Sequence, residues 1–553
     1  MTFNLIKNAW IPARRLSGRR VWVRPGEVTD SFTDDPLLGL DFPRPDWNAA
    51  VSEWLIGLVF TALPPDGDVD WASRFVTPPP PDVLSAALAP LAFAFDLDGD
   101  GPRAFQDFDL LAGVEPKSLN GLFIDAPGEN TLKNNADLFI KRGGGDVLCL
   151  SYAAAALITL QTYAPAGGAG HRTSMRGGGP LTTLVAPRRK NVAGDEVTTL
   201  WDRLWANTPD QGWDPSDPTP DDPPSHPDWP LVFPWLAATR TSKNNEVTAP
   251  DQTTRRLAFF ACPRRLRLIF QPTDTQVCSL GGPVGDILAV GYRTQNYGAN
   301  YLGWIHPLSP YRPDKKSGPL PVHPQAGASD YGDWLAWWGF DGEPAYGVAR
   351  WNDRRFQLGS ALASDGVEAF GFDMDNAKAR QWLEARLPWA PVYGDDAKSL
   401  KDAIRQLIDG ADKTAQALLY AIKLAVWGQR DGKSYRLPET LPRDAASEDV
   451  KQFWRETETA FREQVKMLIE RPAEHLDDRM QWLETLFTHG FRQFDGAVDL
   501  DGLTDADPRR LIYARGRLSG ALKPWGDVAK ALGIDKANPT KRGKAAVQEK
   551  EST

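Results

Sequence analysis

LKDAIRQLIDGADKTAQALLYAIKLAVW, residues 400–427, decides the fold class of the C-terminal part of the chain. Leu400, Ile404 and Leu407, then Leu418, Ile422 and Ala425, recur at intervals of three and four, so they share one face of an α-helix. The same spacing returns in Val450, Trp454, Phe461, Val465 and Leu468, in Leu476, Met480, Leu483 and Phe487 up to Gly490, and in a last run over 507–532. A helix with one apolar stripe must bury it against a neighbour. Four such helices predict a C-terminal four-helix bundle over 377–535. Residues 536–553, ending KRGKAAVQEKEST, carry too few apolar side chains to pack and are expected to be disordered.

Upstream the texture changes. Residues 1–376 alternate short β-like runs with isolated helical ones amid abundant proline and glycine. AFAFDL (92–97) and LRLIFQ (266–271) read as strands, and 47–63 and 147–162 read as helices. The proline-rich stretch 207–230 is longer than most loops and reads as disordered. The fold class is therefore α+β: a large irregular mixed α/β N-terminal domain, then the bundle. A chain of 553 residues exceeds the roughly 250–300 at which a single core stops growing, so more than one domain is expected.

Composition narrows the class of function. With 42% hydrophobic and 24% charged residues the chain is that of an ordinary globular protein, and its net charge of −9 argues against a wholly basic nucleic-acid coat. A local positive face remains open around Arg255, Arg256, Arg264, Arg265 and Arg267. MTFNLIKNAWIPARRL lacks the pattern of a secretory signal, and the apolar run at 147–160 falls short of the ~20 residues of a membrane helix. A cytoplasmic protein without membrane contact is expected. Cys149, Cys262 and Cys278 show no metal-ligand or disulfide spacing and read as buried free thiols.

Motifs for catalysis fail on spacing. Gly432-Lys433-Ser434 ends like a phosphate-binding loop, but Trp427 stands where its first glycine belongs. Asp96, Asp98 and Asp100 begin like a calcium loop, yet Asp107 stands in place of the closing glutamate, and a hairpin turn fits better. Ser329 lies one residue off the nucleophile-elbow spacing, and the six histidines form no metal motif. Most of the 21 tryptophans, Trp454 and Trp482 included, lie on helical sequence and are expected in cores. No cofactor and no catalytic residue is expected. Two glycine-rich stretches are left over. Gly167, Gly168, Ala169 and Gly170 precede His171 and Arg172, and Arg176-Gly177-Gly178-Gly179-Pro180 follows. Glycines let backbone N–H groups approach a ligand, and the arginines supply charge for phosphates; a mobile surface loop is the other reading.

FNLIKNAWIP (3–12), PRAFQD (102–107), RGGGPLTT (176–183) and GWIHPLSP (303–310) stand in an order that resembles the CasA family, the large subunits of type I-E CRISPR Cascade surveillance complexes. The resemblance covers nearly the whole chain, including the change to a helical C-terminus. It implies a non-enzymatic subunit that joins other Cascade subunits and a guide crRNA. It further implies recognition of the protospacer-adjacent motif of double-stranded target DNA through the minor groove, help in strand opening and R-loop formation, and recruitment of a helicase-nuclease.

Residue by residue, the resemblance places the family's glycine loop on Gly167, Gly168, Ala169 and Gly170, and a first DNA-contacting loop on 139–144, with Phe139, Lys141 and Arg142. The wedge pushed between base pairs falls on Asp375, Asn376 and Ala377, where many relatives have glutamine in place of Asn376. The lysine some relatives extend into the groove falls near Gln295, with Arg293 the nearest basic residue. Arg509, Arg510, Arg515 and Arg517, with Lys523, make the last helix basic, which suits a displaced strand; a solvated helix face is the alternative. A cytoplasmic carbohydrate-active hydrolase and a protein-only scaffold are the rival classes.

Overall fold

Pro45 supplies the fixed φ that starts a helix, and the apolar run after it makes Pro45–Ala62 a helix buried on nearly every side. Leu150–Tyr163 is buried in the same way, and the two pack together. They form the centre of the N-terminal unit. A computed structural model describes residues 2–135, 137, 142–168, 170–213, 228–273, 276–324, 331–375, 378–394, 397–442, 446–470, 475–498 and 507–534. The chain divides into one unit of Met1–Ala326 with Ala336–Val392, and a second of Gly327–Leu335 with Tyr393–Thr553.

In the first unit three small antiparallel sheets surround the helix pair. Ile11–Arg15 is the middle strand between Arg20–Val23 and Leu37–Leu40, and Ile287–Gln295 lies between Leu148–Cys149 and Arg265–Pro272. In the third, Gly366–Asp375 pairs with Thr182–Val185 on one side and with Lys378–Pro388 on the other. Aromatic rings fill the space between helices and sheets: Trp10, Trp47 and Trp54 are at most 1% exposed, and Phe42 and Tyr152 bridge them.

The strand at 266–271 and the helices at 47–63 and 147–162 match the elements found, to within a few residues. AFAFDL does not form a strand. Pro81–Leu88 runs on into a 3-10 helix, Ala89–Ala94, with Pro90 in its first turn, and only Asp96 makes an isolated bridge, to Asn4. The acids that follow form no hairpin turn either. Asp96 accepts from Asn4 Nδ2 at 2.8 Å and Asp98 from the backbone N–H of Phe3 at 2.6 Å, so they fasten the N-terminus. Of the stretch 207–230, residues 214–227 lie outside the described residues; Asn207 before them is fully buried, bonding both backbone groups of Val185.

The change of texture at 376–377 falls between two paired strand ends, Asp375 and Lys378, and both strands belong to the first unit. Hydrogen bonds along the hairpin hold residues 378–388 there.

The second unit is built on Ala397–Trp427, which packs against Ser447–Glu470, His475–Ala497 and Pro508–Leu522. Gly490 does not end the third helix. It lies inside it, with Thr414 and Leu522 at ordinary van der Waals distance, 3.4 and 3.5 Å, from where a Cβ would be. The last helix stops at Leu522, because Pro524 has no N–H to continue it, and Asp527–Ala531 is a separate turn. Gly432, at φ +60°, and Lys433 connect the strands Gln429–Asp431 and Ser434–Arg436, a hairpin rather than a phosphate loop. The tail 536–553 lies outside the described residues. Among the described residues no helix is long and apolar enough to cross a membrane.

One peptide from far upstream completes this helical core. Tyr331 is fully buried, stacks on Phe461 with ring centroids 4.0 Å apart and shares a hydrogen bond with Thr457 at 2.9 Å; Trp334 packs beside it on Phe461. Truncating such a ring leaves a cavity the helices cannot close. Tyr331→Ala is expected to destabilise the unit by about 3–5 kcal/mol in urea unfolding followed by tryptophan fluorescence; a loss below about 1 kcal/mol would mean the peptide is not part of the core.

Candidate nucleic-acid interface

The leftover glycines are held from below by a buried charge pair. Glu53, on the helix Pro45–Ala62, is 3% exposed, and Arg176, at the start of RGGGPLTT, is 2% exposed. Arg176 Nη2 donates to Glu53 Oε2 at 2.5 Å, while Tyr163 and Thr182 hydroxyls both donate to Oε1 at 2.6 Å. Arg176 Nη1 also donates to Thr182 Oγ1 and to Ser309 Oγ, at 2.8 and 3.0 Å. Ser309 belongs to GWIHPLSP, so two of the family-like segments meet at one buried pair. Burial, with the neighbouring Glu53 charge, holds the Tyr163 phenol well above its ordinary range, so it stays a donor.

Above this pair each glycine of 177–179 touches a different element. A Cβ on Gly177 would lie 2.9 Å from the His323 ring, whose Nδ1 is 3.1 Å from the Gly178 carbonyl. On Gly178 it would lie 3.1 Å from Pro165 Cα, at the root of the first glycine loop. On Gly179, at φ +62°, it would lie 2.8 Å from Phe372 O and 2.7 Å from Met374 Cγ, on the long hairpin. The three glycines are thus a close-packed junction between the first glycine loop and the hairpin. Side chains there would separate the two.

The first glycine loop leaves the end of the helix Leu150–Tyr163. Gly168 and Gly170 have φ of +85° and +79°, and the His171 N–H donates to Gly168 O at 3.2 Å. The positions are not equivalent. A Cβ on Gly167 would meet Arg264 and one on Gly170 would meet Asn296 and Tyr297, but one on Gly168 meets nothing within 4 Å. Gly168 is therefore the place where another molecule can approach the backbone. Ala169 lies outside the described residues.

Beside the loop the strand Ile287–Gln295 ends at an exposed Gln295, followed by exposed Asn296 and Tyr297, and the Tyr297 N–H donates to Gly170 O at 2.7 Å. Arg293 is turned away, its Nε donating to Val114 O at 3.0 Å. The sequence offered no sign of Tyr297 or His323; only their partners, the glycines, were legible.

Of the residues expected to form a wedge, Asp375 is exposed at the end of its strand, opposite an exposed Lys378, while Asn376 and Ala377 lie outside the described residues. Phe139 and Lys141 lie outside them too. Arg142 is braced within its own loop, donating to both Asp137 oxygens at 2.6 and 2.5 Å and to Asn135 Oδ1 at 3.0 Å.

The local positive face left open around 255–267 does not form. Arg265 pairs with Asp107 and Asp109, Arg267 donates to backbone carbonyls of Asp107 and Gly101, Arg255 to those of Trp213 and Gln211, and Arg264 to that of Pro165; none of the five is exposed. Burial pushes Arg264 down to about 10. Arg255, Arg264 and Arg267 are thus taken up by backbone carbonyls and Arg265 by carboxylates. On the last long helix Arg509 and Arg517 are exposed, Arg515 forms a two-bond pair with Asp495 at 3.0 Å, and Arg510 donates to Ala425 O at 2.7 Å and Gly428 O at 3.3 Å, capping the end of Ala397–Trp427.

Cys149 and Cys278, distant in sequence, lie side by side. The hydrogen bond between their thiols lowers Cys278 to about 5 and raises Cys149, and all three cysteines are free. Among the described residues no group of three or more His, Cys, Asp or Glu is placed to hold a metal ion.

Solved structures share this architecture. CasA from Thermus thermophilus is 18% identical with a TM-score of 0.66, covering 96% of this chain and 100% of that one. Thermobifida fusca Cse1 is 17% identical with a TM-score of 0.67, covering 97% and 99%. A chain of a CRISPR RNA-guided surveillance complex is 16% identical with a TM-score of 0.61, covering 94% and 99%. The fold is thus that of the CasA class of proteins. A family model described as CRISPR-associated protein Cse1 matches residues 4–493, and the chain belongs to the Cse1 (CasA) family.

Two outcomes follow from the buried pair and its surroundings. Arg176→Met leaves the Glu53 carboxylate buried without its charge partner, so a loss of about 3–5 kcal/mol is expected in denaturant unfolding, against a small effect for exposed Arg517→Met. His306, 3% exposed, is held well below its ordinary pKa by burial and by the Arg176 charge. Below about pH 6.5 the unfolded chain takes up a proton that the folded chain refuses, so stability falls as pH drops from there, by up to about 1.4 kcal/mol per unit. His306→Gln should flatten that fall between about pH 6.5 and 5.5 in urea midpoints; equal slopes would remove His306 as its source.

Proposed function

We propose that this protein is the large subunit of a type I-E CRISPR RNA-guided surveillance complex. In this reading it recognises a short motif in the minor groove of double-stranded target DNA and helps open the strands beside it. Membership of the Cse1 family supports the subunit role, as does the likeness to a chain of a surveillance complex. The observation that carries the DNA reading is the junction of 177–179, which packs the root of an open glycine loop and the end of a hairpin against each other within one unit. The loop provides backbone without side chains for a narrow groove, with Gly167 and Gly170 keeping its shape and Gly168 left open.

Asp375, Asn376 and Ala377, at the connection of the paired strands, are the wedge that enters the opened step. Phe139, Lys141 and Arg142 form a further contact loop. Arg509 and Arg517 meet phosphates of the displaced strand; Arg515 joins them by exchanging Asp495 for phosphate, and Arg510 keeps the helix that carries them in place. Partners are then the other Cascade subunits, the guide crRNA, target DNA and a helicase-nuclease. The protein itself acts in the cytoplasm by binding, without catalysis or cofactor.

The two elements separate in one experiment. Gly168→Leu places bulk in open space, so the fold is kept apart from the cost of its positive φ, and binding of the assembled complex to motif-bearing duplex should weaken by roughly 1–3 kcal/mol. Asn376→Ala should instead impair opening of intact duplex and spare a target whose first pairs are already mismatched, because a wedge stabilises separated bases. Equal defects of Asn376→Ala on both targets, or unchanged motif discrimination in Gly168→Leu, would refute these assignments.

A further inference from the structure

Tyr297 stands in a backbone conformation that tyrosine rarely adopts. Its φ is +64°, where glycine or asparagine would sit with less strain, and no helix or strand imposes it. Neighbouring backbone holds it there: its N–H donates to Gly170 O at 2.7 Å and its carbonyl accepts from the Ser242 N–H at 3.3 Å. Ser242 Oγ in turn accepts from Arg172 Nε at 2.8 Å, so the C-terminal end of the glycine loop is fastened to Tyr297 directly at Gly170 and through Ser242 at Arg172. The next residue, Gly298, has no room for a side chain against the Pro263 carbonyl, which fixes the direction of the chain.

A strained residue that served only packing would be expected inside. Tyr297 is 43% exposed instead. Its Cδ1 lies 3.3 Å from where a Gly170 Cβ would be, so the ring borders the same surface that is open at Gly168. Its hydroxyl has no hydrogen bond among the described residues, although a phenol can both donate and accept. Gln295 and Asn296 beside it are exposed as well.

We propose that Tyr297 is a further DNA-contacting residue that fixes motif specificity, its hydroxyl bonding base edges in the minor groove beside the glycine loop. The proposal rests on the reading of that loop given above. The minor groove presents acceptors on every base pair and one donor, the guanine amino group, on G·C pairs alone. A phenol held rigidly at the groove can donate to the first or accept from the second, depending on which base pair the loop brings opposite it. The backbone strain then has a use: it sets the ring at the groove before DNA arrives, so little freedom is lost on binding.

The test uses the assembled guide complex at one fixed salt concentration, with a duplex carrying the motif and an equally long duplex lacking it. Tyr297→Phe removes the hydroxyl alone and should weaken binding to the motif duplex roughly threefold to tenfold, leaving the other duplex and the thermal midpoint unchanged. Tyr297→Gly removes the ring and relieves the backbone, and should bind the motif duplex at least as weakly without losing stability. A Tyr297→Phe protein that keeps the parent's discrimination overturns the proposal, whatever Tyr297→Gly does. Gly168→Leu measured alongside separates the two readings: a defect there with none in Tyr297→Phe leaves the loop standing and removes the tyrosine alone, whereas unchanged motif discrimination in Gly168→Leu overturns the loop reading and the tyrosine proposal with it.

Discussion

The N-terminal unit is organised around one buried ion pair. Taking Glu53 and Arg176 out of water is costly, and their mutual attraction offsets that cost only if the remaining lone pairs and protons find partners. Tyr163, Thr182 and Ser309 supply them, each from a different part of the chain. A helix, the end of a second helix, a strand and a loop therefore have to arrive together. His306 is part of the same constraint, because a proton on its ring would face the Arg176 charge in a dry interior.

This pair determines where the second glycine stretch begins, and the stretch determines the spacing of what lies above it. Gly179 brings the Phe372 carbonyl closer than a side chain would allow, and a Cβ on Gly178 would crowd Pro165. Interiors transmit such displacements because they are packed like solids. A loop without side chains and the end of a hairpin become parts of one body although about two hundred residues separate them in the chain. The proposed reading of DNA depends on that rigidity, since a groove-reading loop and a wedge act on neighbouring base pairs.

The family-like segments turn out to be fasteners. Asn4 binds Asp96, Gln106 bonds backbone on both sides, Arg176 pairs with Glu53 and Ser309 closes on Arg176. The ordered combination was legible because buried polar groups need particular partners and tolerate few substitutes. The arginines at 255–267 left two readings open for a related reason, since a cation's sequence position does not name its partner. In the fold Arg255, Arg264 and Arg267 donate to backbone carbonyls and Arg265 pairs with carboxylates, so the basic face that the sequence left open is not built there.

By itself the sequence determined the helical texture of 400–532, the helices near 47–63 and 147–162 and the glycine stretches, because periodicity and the missing Cβ are local properties. Tertiary structure alone decided the rest. Phe487 fits the apolar spacing yet is exposed, since its neighbours Trp482 and Leu486 took the core, and Tyr331 entered a helical core from a segment with no helical signal. Arg510 became a cap and Gly168 an opening because of what stood, or did not stand, opposite them. A residue's own chemistry states which partners it can accept; only the folded chain supplies the partner, and here the partners lay tens to hundreds of residues away.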